Sequence, residues 1–164
     1  IPFHHKFPKQ AEMLKQGIQD GIIDIANHGL THCVVGKHKP MLFSSNRNFH
    51  REFWDYLPYE IHETHLFKSQ EIFKDWLGFA PKLFIPPGNV YSRKTIEAAE
   101  HCSISVINSS KIFNSSDKVK IINEENIFAF HDKDILGKHG VKWFLKMIQF
   151  YSRSYEFLFV KDLI

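Results

Sequence analysis

Cysteine is scarce in this sequence: Cys33 and Cys102 are the only two, and they lie far apart. So few thiols argue against a disulfide scaffold and a cysteine-based zinc knuckle, and we interpret both as small buried thiols. No apolar run approaches the length that spans a bilayer. The opening residues carry neither a secretory signal nor an initiator Met. We therefore expect the true N-terminus to lie upstream, and we leave the compartment open.

A concentrated stripe of Lys and Arg is also missing, because the basic residues are spread along the chain. The net charge of +3 and a pI near 8.8 therefore indicate an ordinary solvated surface and argue against nucleic acid as a partner. A length of 164 residues suits a single domain, 1–164, with one core. Phe supplies 16 of these residues, which predicts an aromatic-rich core.

Apolar periodicity, punctuated by Gly and Pro, predicts alternating helices and strands. The predicted helices are 8–20, 60–77, 92–101 and 139–150, and the predicted strands are 22–26, 82–85, 104–107, 127–130 and 155–160. Residues 36–58, rich in Gly, Pro, Asn and Ser, indicate a surface excursion, and residues 108–118 a polar loop. Such alternation favours an α/β fold built on a largely parallel sheet or barrel.

Three segments of candidate site residues follow predicted strands. These segments are His28/His32, Pro86-Pro87-Gly88-Asn89 and His131-Asp132. Because active sites of parallel α/β folds lie at the carboxyl ends of their strands, the coincidence predicts a site there.

The pair His28 and His32 stands four residues apart, after an Asn27 that can cap a turn or short helix. On a helical turn, positions i and i+4 share one face, so two neutral imidazoles could bind one divalent ion. The alternative is two histidines on a solvated or partly buried turn, and spacing does not decide between them.

Two further segments have both functional and structural interpretations. His131 could act as an acid or base near neutral pH, or it could be a capping or core histidine. Asp132, the next residue, points to the opposite face of a strand and is not an assured partner. The turn Pro87-Gly88-Asn89 could expose backbone N–H groups to an oxyanion, or it could simply end a strand.

The remaining histidines are predicted to be structural or exposed. His62 and His65, three residues apart, lack the spacing of a metalloprotease and are expected on a solvated helix face. The others are His4, His5, His38, His50, His101 and His139.

Together these segments resemble the polysaccharide deacetylase family (NodB-like, carbohydrate esterase family four). The segment 21–32, ending in His28-Gly29-Leu30-Thr31-His32, resembles the family's metal-binding histidine motif. Phe84-Ile85-Pro86-Pro87-Gly88 resembles the motif that walls the substrate groove, and 127–132 the late motif with the catalytic histidine. The resemblance runs through nearly the whole chain, in the same order.

This resemblance implies a distorted (β/α) barrel that hydrolyses N-acetyl or O-acetyl groups on a sugar or polysaccharide. It makes His28 and His32 ligands of a divalent metal, most simply zinc. It makes His131 the acid that protonates the leaving amine. It assigns to Pro87, Gly88 and Asn89 the binding of the substrate and of the oxyanion. No oligomeric state is implied.

The chain also departs from the family. The opening strand, with its pair of aspartates, does not precede His28, so we expect an N-terminally truncated barrel. Asp24 matches a non-ligand acidic position, Ile85 stands where many members have Arg, and Gly29 replaces a common Ser or Thr. The departures leave two alternatives open: a carbohydrate-binding pseudoenzyme of the same fold, and a metal-free structural domain.

Overall fold

The computed structural model describes residues 2–32, 35, 52–110, 116–122, 127, 135–137 and 140–163. These residues belong to two compact units, Ile1–Glu124 and Glu125–Ile164. No helix of the described part is both long and apolar enough to cross a membrane.

The described residues of the first unit form four helices, and local sequence signals set their ends. They are α1 (Phe3–Lys6), α2 (Pro8–Gln19), α3 (Tyr59–Leu77) and α4 (Arg93–His101). Pro8 occupies the first turn of α2, where its missing N–H costs nothing. Gly78 ends α3 in the left-handed conformation, with a φ of 82°. Ser92 and Thr95 form a capping box at the start of α4. The predicted helices 8–20, 60–77 and 92–101 are thus confirmed.

Three short strands form a parallel sheet in the order β1-β2-β3: β1 (Leu83–Phe84), β2 (Val106–Asn108) and β3 (Lys120–Ile122). The strands predicted at 82–85 and 104–107 are confirmed in shortened or shifted form, whereas β3 was not predicted. The strand predicted at 22–26 is wrong, because none of these residues lies in a strand. The next residue, Asn27, forms an isolated parallel bridge with Phe84. The observed architecture is a mixed α/β fold with a small parallel sheet, and the distorted (β/α) barrel stays a prediction.

The core lies between this sheet and the helices α3 and α4. Its buried members include Phe53, Phe84 and Tyr91, surrounded by aliphatic residues. Several other phenylalanines are exposed, namely Phe3, Phe7, Phe67, Phe79, Phe150 and Phe157. The aromatic-rich core is therefore only partly borne out, since most of its described members are aliphatic.

Part of the predicted surface excursion 36–58 is in fact core. Glu52, Phe53 and Leu57 are buried, and the Phe53 ring packs edge-on against Phe84 with centroids 5.1 Å apart. Packing against distant residues decided this outcome, which the loop-like composition of the segment did not show. Residues 36–51 lie outside the described part.

Cys102 is confirmed as a buried thiol, 9% exposed. Burial, with the nearby Glu63 carboxylate, raises its pKa to about 11, so it is protonated at neutral pH and a poor nucleophile. Cys33 lies outside the described residues.

The second unit contains α5 (Gly140–Tyr151), close to the predicted helix 139–150, and a 3₁₀ turn at Val160–Leu163. The strand predicted at 155–160 is wrong, because residues 155–159 belong to no helix or strand and residue 160 starts the turn. Tyr155, Phe157 and Leu158 are exposed, so their apolar pattern does not report burial. Residues 128–131 lie outside the described part, so the strand predicted at 127–130 stays a prediction.

His62 is fully buried on α3, which overturns its predicted place on a solvated helix face. Its Nδ1 lies 2.9 Å from the hydroxyl oxygen of Thr95 on α4, and its ring packs beside Phe53. Burial is the largest cause that lowers the pKa of His62, to about 4. The side chain is therefore neutral at pH 7 and serves the contact between two helices.

We predict that His62 makes the protein less stable in mild acid. An unfolded chain protonates this histidine near pH 6.5, whereas the folded chain resists protonation down to about pH 4. Unfolded molecules thus bind more protons in this window, and stability falls by about 3 kcal/mol as the pH drops through it. Urea unfolding of the parent and of His62→Asn, measured from pH 7 to 4, isolates the contribution of His62 to the pH dependence of the unfolding free energy. If the unfolding free energy changed with pH equally in both proteins, the prediction would be contradicted.

Candidate functional site

Backbone pairing places two of the three predicted site segments side by side. The N–H of Asn27 donates to the carbonyl of Leu83 at 2.8 Å, and the N–H of Ile85 donates to the carbonyl of Asn27 at 2.9 Å. His28 therefore leaves this bridge beside the residues that follow β1. The carboxyl ends of two parallel segments meet here, as the strand order predicted.

The His28 ring is oriented by the backbone of the neighbouring segment. Its Nδ1 lies 2.6 Å from the carbonyl oxygen of Ile85. A carbonyl oxygen only accepts, so Nδ1 carries the hydrogen and the ring's lone pair is on Nε2. Metal-binding histidines are commonly held in this way, with the second nitrogen donating to a carbonyl.

The rings of His28 and His32 lie together, with centroids 4.8 Å apart and planes inclined by 48°. Both side chains are exposed. Their proximity does not come from the predicted helical turn, which is wrong. Instead, Gly29 and His32 both have positive φ, 86° and 53°, and this irregular backbone, without a helical turn, brings the two rings together.

Two imidazoles with this placement are suitable ligands for a divalent ion of the zinc type, which favours nitrogen donors. Such an ion normally requires at least one more protein ligand. Among the described residues, the one group of three candidate ligands is elsewhere, where His4, His5 and Asp75 meet at the surface. The histidine pair thus offers two candidate ligand nitrogens.

Sequence reasoning missed Glu52, which contacts the loop of His28 and His32 on its buried side. This carboxylate is 0% exposed. It accepts backbone N–H groups from Leu30 at 2.6 Å, Thr31 at 3.1 Å and His32 at 2.8 Å. The ring of His65 donates to it from α3 at 2.8 Å, so His65 is not on a solvated face as predicted.

The charge of Glu52 is set by a balance between burial and hydrogen bonding. Burial alone would raise its pKa, but the bonds from His65 and the three loop amides outweigh burial and lower the pKa. The residue is therefore an anion at neutral pH, with donors on both oxygens. The sequence pointed to Glu52 only indirectly. His62 and His65 share one face of a helix, and an imidazole that is buried there needs a hydrogen-bond partner.

Asn27 fixes the start of the loop. Its side-chain amide donates to Ser69 at 2.7 Å and to Gln70 at 3.0 Å, both on α3. Its Oδ1 accepts the N–H of Gly29 at 2.9 Å. That last bond forms an Asx turn, so the predicted capping role of Asn27 is confirmed although no helix follows.

The predicted oxyanion turn is a 3₁₀ turn at Pro87–Asn89. Gly88 and Asn89 have positive φ, 60° and 57°. The N–H of Asn89 donates to the carbonyl of Pro86 at 3.0 Å, while its Oδ1 accepts from Ser109, beyond β2, at 3.1 Å. The turn is thus secured to the end of the sheet. Its role toward an oxyanion stays a prediction.

His131 and Asp132 lie outside the described residues, so the role of His131 stays a prediction. That role depends on the late motif 127–132. Of this motif the structure describes Ile127 alone, which is half-buried and lies in no helix or strand.

Comparison with known proteins identifies one family. The sequence model described as polysaccharide deacetylase matches residues 4–107, a range that includes the histidine pair, Glu52 and the turn Pro87–Asn89 but not His131. No curated protein gives a significant match. A solved de-N-acetylase from Aggregatibacter actinomycetemcomitans aligns at 15% identity with a TM-score of 0.48. The alignment covers 72% of this chain and 50% of that one, so this chain spans about half the length of that protein.

We predict that Gly29→Ala lowers the free energy of unfolding by more than the backbone strain of a positive φ would account for. A Cβ on Gly29 would lie 2.6 Å from Oε2 of Glu52 and 3.0 Å from the Phe53 ring. Gly78 is the matched control, because it has a similar φ of 82° but open space around its Cβ position. We expect Gly78→Ala to lower the free energy of unfolding by about 1–2 kcal/mol. Gly29→Ala should cost about 1–3 kcal/mol more.

Chemical denaturation of the parent and both variants measures this difference. Equal losses of unfolding free energy would show that Glu52 and Phe53 can move away from the new methyl group at no cost.

Proposed function

The chain belongs to the polysaccharide deacetylase family, and from that premise we propose that it hydrolyses acetyl groups on a carbohydrate. We propose that a divalent ion, most simply zinc, is held by His28 and His32 for this reaction. An N-acetylated sugar or polysaccharide is the proposed substrate.

The observation that supports this proposal is the placement of the histidine pair. Its rings converge at an exposed edge, with centroids 4.8 Å apart. The bond from His28 to the Ile85 carbonyl fixes one ring in the tautomer that offers Nε2 to a metal. A plain solvated turn has no need for such ordering, which costs side-chain entropy.

A zinc ion bound here would supply Lewis-acid polarisation of the acetyl carbonyl and a lowered pKa for a bound water. The chain's own residues have separate proposed tasks. The turn Pro87–Asn89 would form one wall of the groove and offer a backbone N–H to the oxyanion, for which the Asn89 amide must release Pro86. His131 would protonate the leaving amine. The family places the base and a third ligand on its opening aspartate strand.

A carbohydrate-binding protein without hydrolysis is the second candidate. Ile85 favours it, because this residue stands where many family members carry an Arg that pairs with the catalytic base. In this structure Ile85 contributes its backbone to the site, through its bonds with Asn27 and His28, and its side chain brings no charge.

Acetate release from an N-acetylglucosamine oligomer tests the proposal. The protein is assayed with zinc and with a chelator, while binding of the same oligomer is followed by calorimetry. Zinc-dependent acetate release supports a deacetylase. Oligomer binding without acetate release would instead support the second candidate. A zinc-loaded protein that neither binds nor hydrolyses the oligomer would overturn both.

We predict that His28→Ala and His32→Ala each reduce zinc binding, because each removes one nitrogen ligand. The measurement is zinc content after dialysis, in a background carrying His4→Ala and His5→Ala so that the surface group with Asp75 does not contribute. His101→Ala is a matched control, since His101 is an exposed histidine bonded to Tyr59 and Glu63. Full zinc occupancy in either site variant would defeat the ligand assignment.

We predict that His131→Ala lowers turnover by roughly 10²–10⁴-fold, as expected for loss of a general acid. Zinc content should stay at the parent level, because this histidine is proposed to act on the leaving group. The two readouts are acetate release and metal analysis on the same preparation. Unchanged turnover would remove His131 from the mechanism, and loss of zinc would make it a ligand instead.

A further inference from the structure

Glu52 is joined to the histidine loop by an unusual concentration of hydrogen bonds. Three consecutive backbone N–H groups, those of residues 30, 31 and 32, point at one buried carboxylate. A fourth donor, the ring of His65, reaches the same carboxylate from α3. The loop is therefore held to the helix through one side chain that is itself shielded from water.

Regular secondary structure does not define the shape of this loop in its described part, residues 28–32. Gly29 and His32 take positive φ values, and the segment belongs to no helix or strand. The left-handed region is uncommon for a non-glycine residue such as His32 and costs about 1–3 kcal/mol, so surrounding contacts are needed to hold it. Its own N–H is bonded to Glu52 at 2.8 Å, so this carboxylate supplies such a contact at the residue that must present the second imidazole.

The two histidines thus depend on different supports. His28 is oriented by the Ile85 carbonyl, and the backbone of His32 is held by Glu52. Loss of the Glu52 contact would leave His28 in place while the His32 backbone could relax toward an unstrained conformation. The rings would then separate, and a shared ion would lose part of its preformed site.

Charge acts in the same direction as geometry. The Glu52 carboxylate contacts the loop from the buried side and accepts a hydrogen bond from the backbone N–H of one proposed ligand. A fixed negative charge in a medium of low dielectric attracts a nearby cation more strongly than a solvated one does. Replacement of the charge by a neutral amide of the same shape therefore weakens cation binding even where the loop keeps its form.

We infer that Glu52, held by His65, is the positioning residue that sets the metal affinity of His28 and His32. This inference rests on the proposed function only in taking that pair as metal ligands. Supporting groups of this kind typically change metal affinity or activity by 10–100-fold when they are altered.

Glu52→Gln is the direct test. We expect zinc affinity, measured by competition with a chromophoric chelator, to fall about 10–100-fold. The absorption spectrum of the cobalt-substituted protein should also change, because it reports ligand geometry independently of turnover. His62→Asn is the matched control: it alters an equally buried polar residue of α3 that bonds Thr95 instead. It should lower stability without changing zinc affinity or the cobalt spectrum.

A pair of His65 variants keeps the inference testable if Glu52→Gln does not fold. His65→Asn keeps an N–H donor near the position of Nδ1, whereas His65→Leu removes it. We expect near-parent zinc affinity in the Asn variant and weaker zinc binding in the Leu variant. Equal affinities in these two, or parent affinity in a folded Glu52→Gln, would overturn the inference.

Failure of the proposed function gives a different result. A parent that binds zinc through the histidine pair but releases no acetate would refute the deacetylase proposal and leave the role of Glu52 intact. A parent that binds zinc no better than its His28→Ala/His32→Ala double variant would refute both.

Discussion

The arrangement of the site depends on the buried side chain and backbone of Asn27. Its two backbone groups pair with Leu83 and Ile85 beside β1, while its side-chain amide bonds Ser69 and Gln70 on α3. One residue therefore ties the sheet edge to the longest helix of the first unit. Each of these polar groups is removed from water, and a lost partner would leave an unsatisfied buried group at a cost of about 1–3 kcal/mol. The histidine loop starts from this fixed point.

The far end of the same loop is held by a charge instead of an amide. A buried carboxylate without partners would protonate or destabilise the fold, because its desolvation costs several kcal/mol. Glu52 avoids this through four donors, three of them loop amides and one the ring of His65. The compensation requires the loop to keep all three N–H groups directed inward. With these N–H groups directed inward, the side chains of His28 and His32 are exposed to solvent. The stability of the anion and the shape of the site are therefore linked.

Local signals made much of this fold predictable. Pro8, Gly78 and Ser92 mark helix ends through constraints that act within one turn, and the structure follows them. The position of the histidine pair also followed from chain order. The conformation of its loop did not follow, because the backbone of His32, which has a positive φ, is bonded to Glu52, twenty residues away. Burial of His62 was missed for the same reason: long-range packing against α4 decides it, and helix periodicity alone does not show it.

The departure of this chain from its family at position 29 has a physical explanation in the same contacts. Many members carry Ser or Thr there, whereas a Cβ in this chain would lie 2.6 Å from Oε2 of Glu52. Glycine lets the carboxylate approach the loop closely enough to accept three consecutive amides, and it also tolerates the φ of 86° that the turn requires. Gly29 and Glu52 are therefore a matched pair. In this chain a side chain at position 29 would require the Glu52 carboxylate to move away from the loop amides that it accepts.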